Sequence, residues 1–205
     1  TGHAATETTI ATYELTHSEG VDDALTAVEK FESPPQNFVY GDTDGNTRYQ
    51  MNGRIPIRRV DGDPVRANRV FDGSNPDTTW DGFEPFGRPA AWENDDGTPP
   101  DSDQAAFVPF SENPHVENPD YIGTANQLIA DDDLIRYYLG WEYTSTYRSR
   151  RVYELLDEAV ESGDPVDLGT LRELGQDTYD SRAAEIVPDD GDGPSLVAAA
   201  READD

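Results

Sequence analysis

Hydrophobic and polar positions alternate in three regimes along the chain. Between residues 20 and 32, Val21, Ala24, Leu25, Val28 and Phe31 recur at helical spacing. Asp22 and Asp23 sit in the first turn and Pro34-Pro35 lies beyond the end, so an amphipathic helix is predicted there. Gln36 to Met51 reads as two strands joined by a tight turn at Asp44-Gly45. Residues 52–120 are rich in Pro, Gly and Asp and predict mostly loop. Two similar phrases stand in that stretch, Trp80-Asp81-Gly82-Phe83-Glu84-Pro85-Phe86 and Phe107-Val108-Pro109-Phe110. Between them, about 87–105, an acidic and Pro-rich run reads as a surface insertion. A short strand is predicted from Tyr121 to Asn126.

The remainder predicts helices. Val152, Leu155, Leu156, Ala159 and Val160 form one stripe that Gly163 is placed to stop. Leu168, Leu171, Leu174, Tyr179, Ala183 and Ile186 form a looser second stripe before Pro188. The acidic tail, 191–205, reads as a short helix or a frayed end. A single hairpin and three or four helices make an α+β inventory, too small for a self-sufficient sheet protein.

Charge changes this picture most. Asp and Glu number 43 against 15 Lys and Arg, a net charge of -28 over 205 residues. Lys30 is the one lysine; the other cations are arginines. Such a field repels nucleic acid and anionic lipid, whose binding needs Lys and Arg, so neither is expected as a partner. High charge with 35% apolar residues resembles disorder, but the three Trp, ten Tyr and seven Phe and the clear periodicity argue for a fold. The expected setting is concentrated salt, where dense carboxylates hold water and screening suppresses their repulsion. No run is long and apolar enough to predict a transmembrane helix, and Thr1-Gly2-His3 opens no signal peptide. Neither end reads as a natural boundary, and the cellular location is left open.

Local chemistry is sparse. Cysteine is absent, which removes disulfides, thiolate nucleophiles and Cys-bound metals. His3, His17 and His115 are scattered and form no helical pair. Asp42-Thr43-Asp44-Gly45-Asn46 has the acid spacing of a calcium loop's start, but its Gly is misplaced and no Glu closes it, which favours a hairpin turn. The acids Glu93, Asp95, Asp96, Asp101 and Asp103 read as a solvated loop. Glycine-rich phosphate loops and GxSxG elbows are missing.

Ordered phrases carry more than any single motif. Gln36-Asn37-Phe38-Val39-Tyr40-Gly41-Asp42, Asp44-Gly45-Asn46 and Gly53-Arg54-Ile55-Pro56-Ile57-Arg58 come first. A Trp-Gly-Pro-Phe phrase (Trp80 to Phe86, or Phe107 to Phe110), Asn118-Pro119 and Thr124-Ala125-Asn126-Gln127 follow. Tyr147-Arg148-Ser149-Arg150-Arg151-Val152, Leu155-Leu156 and Gln176-Asp177, placed in the last helix, complete the order. Over about residues 8–190 this succession resembles the penicillin acylase (penicillin amidase) family. The duplicated Pro-Phe region with its acidic insert departs from the family, as does Thr47-Arg48, where an apolar residue and Gly are usual.

The resemblance implies the N-terminal-nucleophile hydrolase fold, a four-layer αββα sandwich of which residues 1–190 would be a part of the larger chain. It implies self-cleavage of a precursor, with the remainder of the processed acylase as partner, and hydrolysis of a small-molecule amide between an acyl group and an amine. The nucleophile would be a Ser at a newly exposed N-terminus upstream of Thr1, with its own α-amine, pKa near 8, as base. This chain alone would then be inactive. By position, Asn126 matches the Asn whose amide completes the oxyanion hole, and Arg148 the active-site Arg that orients it. Gln36 falls beside the acyl pocket, and Pro64 near a backbone calcium ligand of some members. The resemblance requires no cofactor, and the calcium-binding carboxylate has no match near Tyr137, which counts against calcium. An acylase of acyl-homoserine lactones would share these motifs; a truncated product or a non-catalytic binding module would keep the scaffold without the chemistry.

Overall fold

The computed structural model describes residues 6–60, 63–66, 70, 72–75, 107–131, 134–140, 142–187 and 195–204. The second Trp-Gly-Pro-Phe phrase is therefore described, whereas Trp80–Phe86, the 87–105 insertion, its acids and His3 lie outside. The chain divides into two compact units, residues 1–122 with 129–142, and residues 123–128 with 143–205.

In the first unit, helix α1 (Thr8–Leu15) packs on helix α2 (Val21–Glu29). The α2 stripe is as its spacing predicts, with Ala24, Ala27 and Val28 buried. Helix α1 was not foreseen, because Ala11 alone is buried on it and one small residue leaves no legible period. Strands β1 (Gln36–Gly41) and β2 (Thr47–Asn52) form the predicted antiparallel hairpin, with Gly41 opposite Thr47 and Gln36 opposite Asn52. Its connection is longer than two residues. Asp42 N–H donates to Asn46 O at 3.0 Å, and Gly45, at φ +90°, turns the chain back. The Asp42 carboxylate accepts from the Asp44 and Asn46 backbone N–H and from Asn46 Nδ2, at 2.8–3.0 Å. These bonds, the Asn46 side chain first, hold its pKa below 3.8. Asp42 thus closes a turn.

Short strands β3 (Arg59–Val60) and β4 (Asp63–Pro64) pair as a separate ribbon. Strand β5 (His115–Glu117) pairs with β2, giving the sheet order β1-β2-β5. Central β2 shows why the alternation is specific. Tyr49 and Met51 face a core with Ile55, Ile57, Val108 and Tyr137, whereas the intervening Arg48, Gln50 and Asn52 are also buried. That polar face is satisfied by bonding: Arg48 pairs with Glu117 and donates to Gln50 Oε1 at 3.1 Å. Asn52 Nδ2 donates to Val28 O at 2.5 Å and Phe31 O at 2.9 Å, satisfying carbonyls at the end of α2. Its Oδ1 accepts from Asn113 Nδ2 at 3.1 Å. Asn52→Ala strands these groups, and each buried orphan costs about 1–3 kcal/mol. The melting temperature should fall by at least about 2–4 °C, the shift expected per kcal/mol at this size. A melt by circular dichroism indistinguishable from wild type would show that water replaces the amide.

In the second unit, helix α3 (Thr146–Glu161) ends as foreseen at Gly163, φ +71°. The looser stripe is two helices, α4 (Leu168–Gly175) and α5 (Ser181–Ile186), because Asp167 and Asp180 each accept backbone N–H bonds at a fresh N-terminus. Gln176-Asp177 therefore lies between helices. The tail contains helix α6 (Leu196–Asp204). The strand predicted from Tyr121 to Asn126 does not form: the segment is irregular and its polar groups bond to side chains instead. The architecture is mixed α+β, as read from the sequence.

Candidate functional site

Residues 123–128 lie along helix α3. Gly123 permits the close approach, since a Cβ there would meet Val152 Cγ1 at 3.1 Å and Leu156 Cδ1 at 3.2 Å. Tyr153 Oη donates to Gly123 O at 2.9 Å, one anchor of the segment. Gln127 closes the turn on itself, its Oε1 accepting from Ala125 N–H at 2.6 Å. Asn126 adopts φ +59°, a left-handed conformation that Asn tolerates better than most non-glycine residues. Its carbonyl accepts from Thr144 N–H at 2.8 Å. The unusual backbone is thus held from both sides.

Arg148, in the first turn of α3, reaches this residue directly. One terminal nitrogen, Nη2, donates to Asn126 Oδ1 at 2.6 Å and to Ala125 O at 2.7 Å. Guanidinium has donors only, so the amide atom facing it must be the oxygen. The Nδ2 of Asn126 consequently faces away from Arg148 on an exposed residue. An amide clamped through its oxygen and presenting N–H is suited to stabilise developing negative charge.

The neighbours of Arg148 serve other ends. Ser149 is buried and donates to Thr146 O at 2.9 Å. Arg150 pairs with Glu185 at 2.8 Å. Arg151 takes Asp177 in a two-point contact, Nε to Oδ2 at 2.9 Å and Nη2 to Oδ1 at 3.1 Å. That arginine holds the Asp177 carboxyl below its ordinary 3.8. Helical rotation turns one arginine of the run to Asn126 and the next two to acids around α5.

A family model for penicillin amidase matches residues 1–204. The chain belongs to the penicillin amidase family. No curated protein matches the sequence. The penicillin amidases are a hydrolase (amidase) family. Two of the residues singled out from the family phrases, Asn126 and Arg148, meet at hydrogen-bond distance although 22 positions apart. Tyr153 and Thr144, which support them, carry no motif of their own, and Gln127 stands in the same phrase as Asn126.

The other two singled-out residues belong to the first unit. Gln36 is exposed at the start of β1, opposite Asn52. Pro64 closes the β3–β4 ribbon opposite Arg59. Val65 N–H donates to Arg58 O at 2.8 Å, and both residues line a pocket of about 90 Å³ with Tyr137. Val65, next to Pro64 in sequence, and Tyr137 thus line one pocket. Its lining includes Arg58, Arg66 and Arg136, and no Asp or Glu among the described residues. Calcium takes six to eight oxygen ligands with carboxylates among them, a donor set that guanidinium groups do not supply. No group of three or more His, Asp or Glu among the described residues could hold a metal ion elsewhere. His17 stacks on Tyr13, and His115 Nδ1 lies 2.9 Å from Asn113 O.

Proposed function

We propose that this chain supplies the oxyanion-stabilising side of a penicillin acylase-type active site, within a four-layer αββα N-terminal-nucleophile hydrolase. The carrying observation is the 2.6 Å bond from Arg148 to Asn126 Oδ1, which fixes the amide with its N–H outward. The nucleophile is an N-terminal Ser on another segment of the processed protein, its α-amine taking the hydroxyl proton. As the Ser oxygen bonds to the amide carbon, the carbonyl π pair moves onto oxygen and Asn126 Nδ2–H donates to it. Collapse of this intermediate expels the amine, which takes the proton, and leaves an acyl ester on Ser. Water then attacks the ester, the same donor stabilises the second oxyanion, and the carboxylic acid leaves. A neutral amide suits both steps because it stabilises the alkoxide without giving up its proton. Arg148 is a positioning residue in this scheme, and the acid-rich surface supports work in concentrated salt.

The full-length, self-processed protein in concentrated KCl should hydrolyse phenylacetyl-p-nitroanilide, and the present chain alone should not. Turnover by this chain above that of heat-treated protein would overturn the assignment of the nucleophile to another segment. In the processed enzyme Arg148→Lys should lower kcat measurably with KM little changed. An ammonium offers point donors in place of the rigid planar fork, so it holds the Asn126 amide less firmly. Unchanged kcat in Arg148→Lys would remove Arg148 from the orienting role.

A further inference from the structure

We propose that Gln127 is a positioning residue of the amidase reaction, its side-chain amide fixing the turn from which Asn126 presents its N–H. The role rests on the oxyanion reading of Asn126. Ala125 N–H donates to Gln127 Oε1 at 2.6 Å, and Gln127 Nε2 donates to Gly123 O at the longer distance of 3.4 Å. An N–H donor must face the amide oxygen, so the first bond also sets which way the Gln127 amide lies. The ring closed by that bond runs from the Ala125 nitrogen through the backbone of Asn126 to the Gln127 side chain. It therefore contains both backbone dihedrals of Asn126, the residue held at φ +59°. Such a residue needs an outside constraint, because the right-handed and extended regions are the deeper wells for any side chain with a Cβ.

The other contacts of the segment act on its oxygens. The carbonyls of Gly123, Ala125 and Asn126 accept from Tyr153 Oη, Arg148 Nη2 and the Thr144 N–H, at 2.9, 2.7 and 2.8 Å. Gln127 instead takes the N–H of Ala125, a residue 5% exposed. Without it that N–H is left unpaired in a buried residue, a costly state relieved by turning the peptide toward water. Such a turn does not stay local. Arg148 Nη2 holds both Ala125 O and Asn126 Oδ1, one hydrogen for each. Moving Ala125 loads one of these two bonds and shifts the amide that depends on the other. The segment meanwhile stays docked on α3 through Tyr153 and Gly123. The lesion therefore falls on the aim of Asn126 rather than on the fold.

A cycle of variants in the full-length, self-processed protein tests this, with phenylacetyl-p-nitroanilide as substrate in concentrated KCl. Gln127→Ala should lower kcat by about 10–100-fold, the upper end being the cost of misplacing a reacting group by about 1 Å. KM should change little, because the aim of the amide matters only as charge develops. In an Asn126→Gly background the same substitution should cost less than about twofold, since no amide remains to be positioned. Equal losses in the two backgrounds would overturn the role, because a residue that merely supports the fold acts with or without the Asn126 side chain. Gln127→Met keeps length and bulk but has no amide, and it repeats the cycle should Gln127→Ala fail to fold. An impaired Asn126→Gly enzyme beside a Gln127 variant with wild-type kcat would overturn the positioning role alone. Wild-type kcat in Asn126→Gly would overturn the oxyanion reading, and the positioning role would fall with it.

Discussion

Asn126→Ala in the self-processed enzyme is expected to lower kcat by about 10²–10³, or roughly 2.7–4 kcal/mol, the usual cost of removing one oxyanion donor. KM should change little, since the bond strengthens only as charge develops on the carbonyl oxygen. The structure supplies the controls. Asn126 stands at φ +59°, where Ala is strained, so Ala removes the donor and also disturbs the turn. Asn126→Gly keeps that backbone without strain and removes only the side chain. Asn126→Asp keeps the shape and the acceptor for Arg148 but has no N–H to offer. If the amide is the donor, all three variants lose kcat to a similar extent. A processed Asn126→Gly enzyme retaining more than about a third of wild-type kcat, against that expected loss, would make Asn126 a structural residue.

The parts of this fold that were legible in the sequence are those where one periodic signal serves one packing face. The β1–β2 hairpin is readable from the turn signal at Asp44-Gly45 between two strand-like runs. Helix α3 is readable from its stripe and its terminal Gly163. The signal fails where few residues carry the packing: α1 docks through Ala11, and β5 is three exposed residues recruited by β2. It misleads at Tyr121–Asn126, where β-prone side chains lie in a segment whose backbone bonds go to Gln127, Arg148 and Tyr153. The candidate site followed the same division. Asn126 and Arg148 were found through ordered phrases rather than through any local chemistry, because an Asn and an Arg 22 residues apart are individually unremarkable. Tyr153 had no such phrase, and Gln127, although in the same phrase as Asn126, was given no role. The three arginines of the ribbon pocket are spread over residues 58–136, beyond the reach of any spacing rule.

Salt should have the largest effect on the intact fold. Along one open groove of about 460 Å³, Glu19, Asp22, Asp23, Asp42, Asp44 and Glu117 surround the single guanidinium of Arg48. Asp22 and Asp23 lie in the first turn of α2, and turn bonds stabilise Asp42 as a carboxylate. Their mutual repulsion adds to that of a chain at -28. Raising KCl from 0.1 M to 1 M shortens the Debye length from about 10 Å to about 3 Å. The surface attractions lost to screening are worth little each, about 0–1 kcal/mol per exposed pair, and 43 acids outnumber 15 cations, so repulsion dominates the balance. The melting temperature should therefore climb steeply through that range, with the helical circular dichroism signal falling away in dilute buffer. NaCl and KCl at equal ionic strength should act alike, because the argument rests on screening rather than on a bound ion. A melting temperature independent of salt, or a response to KCl alone, would show that self-repulsion does not set the stability of this chain.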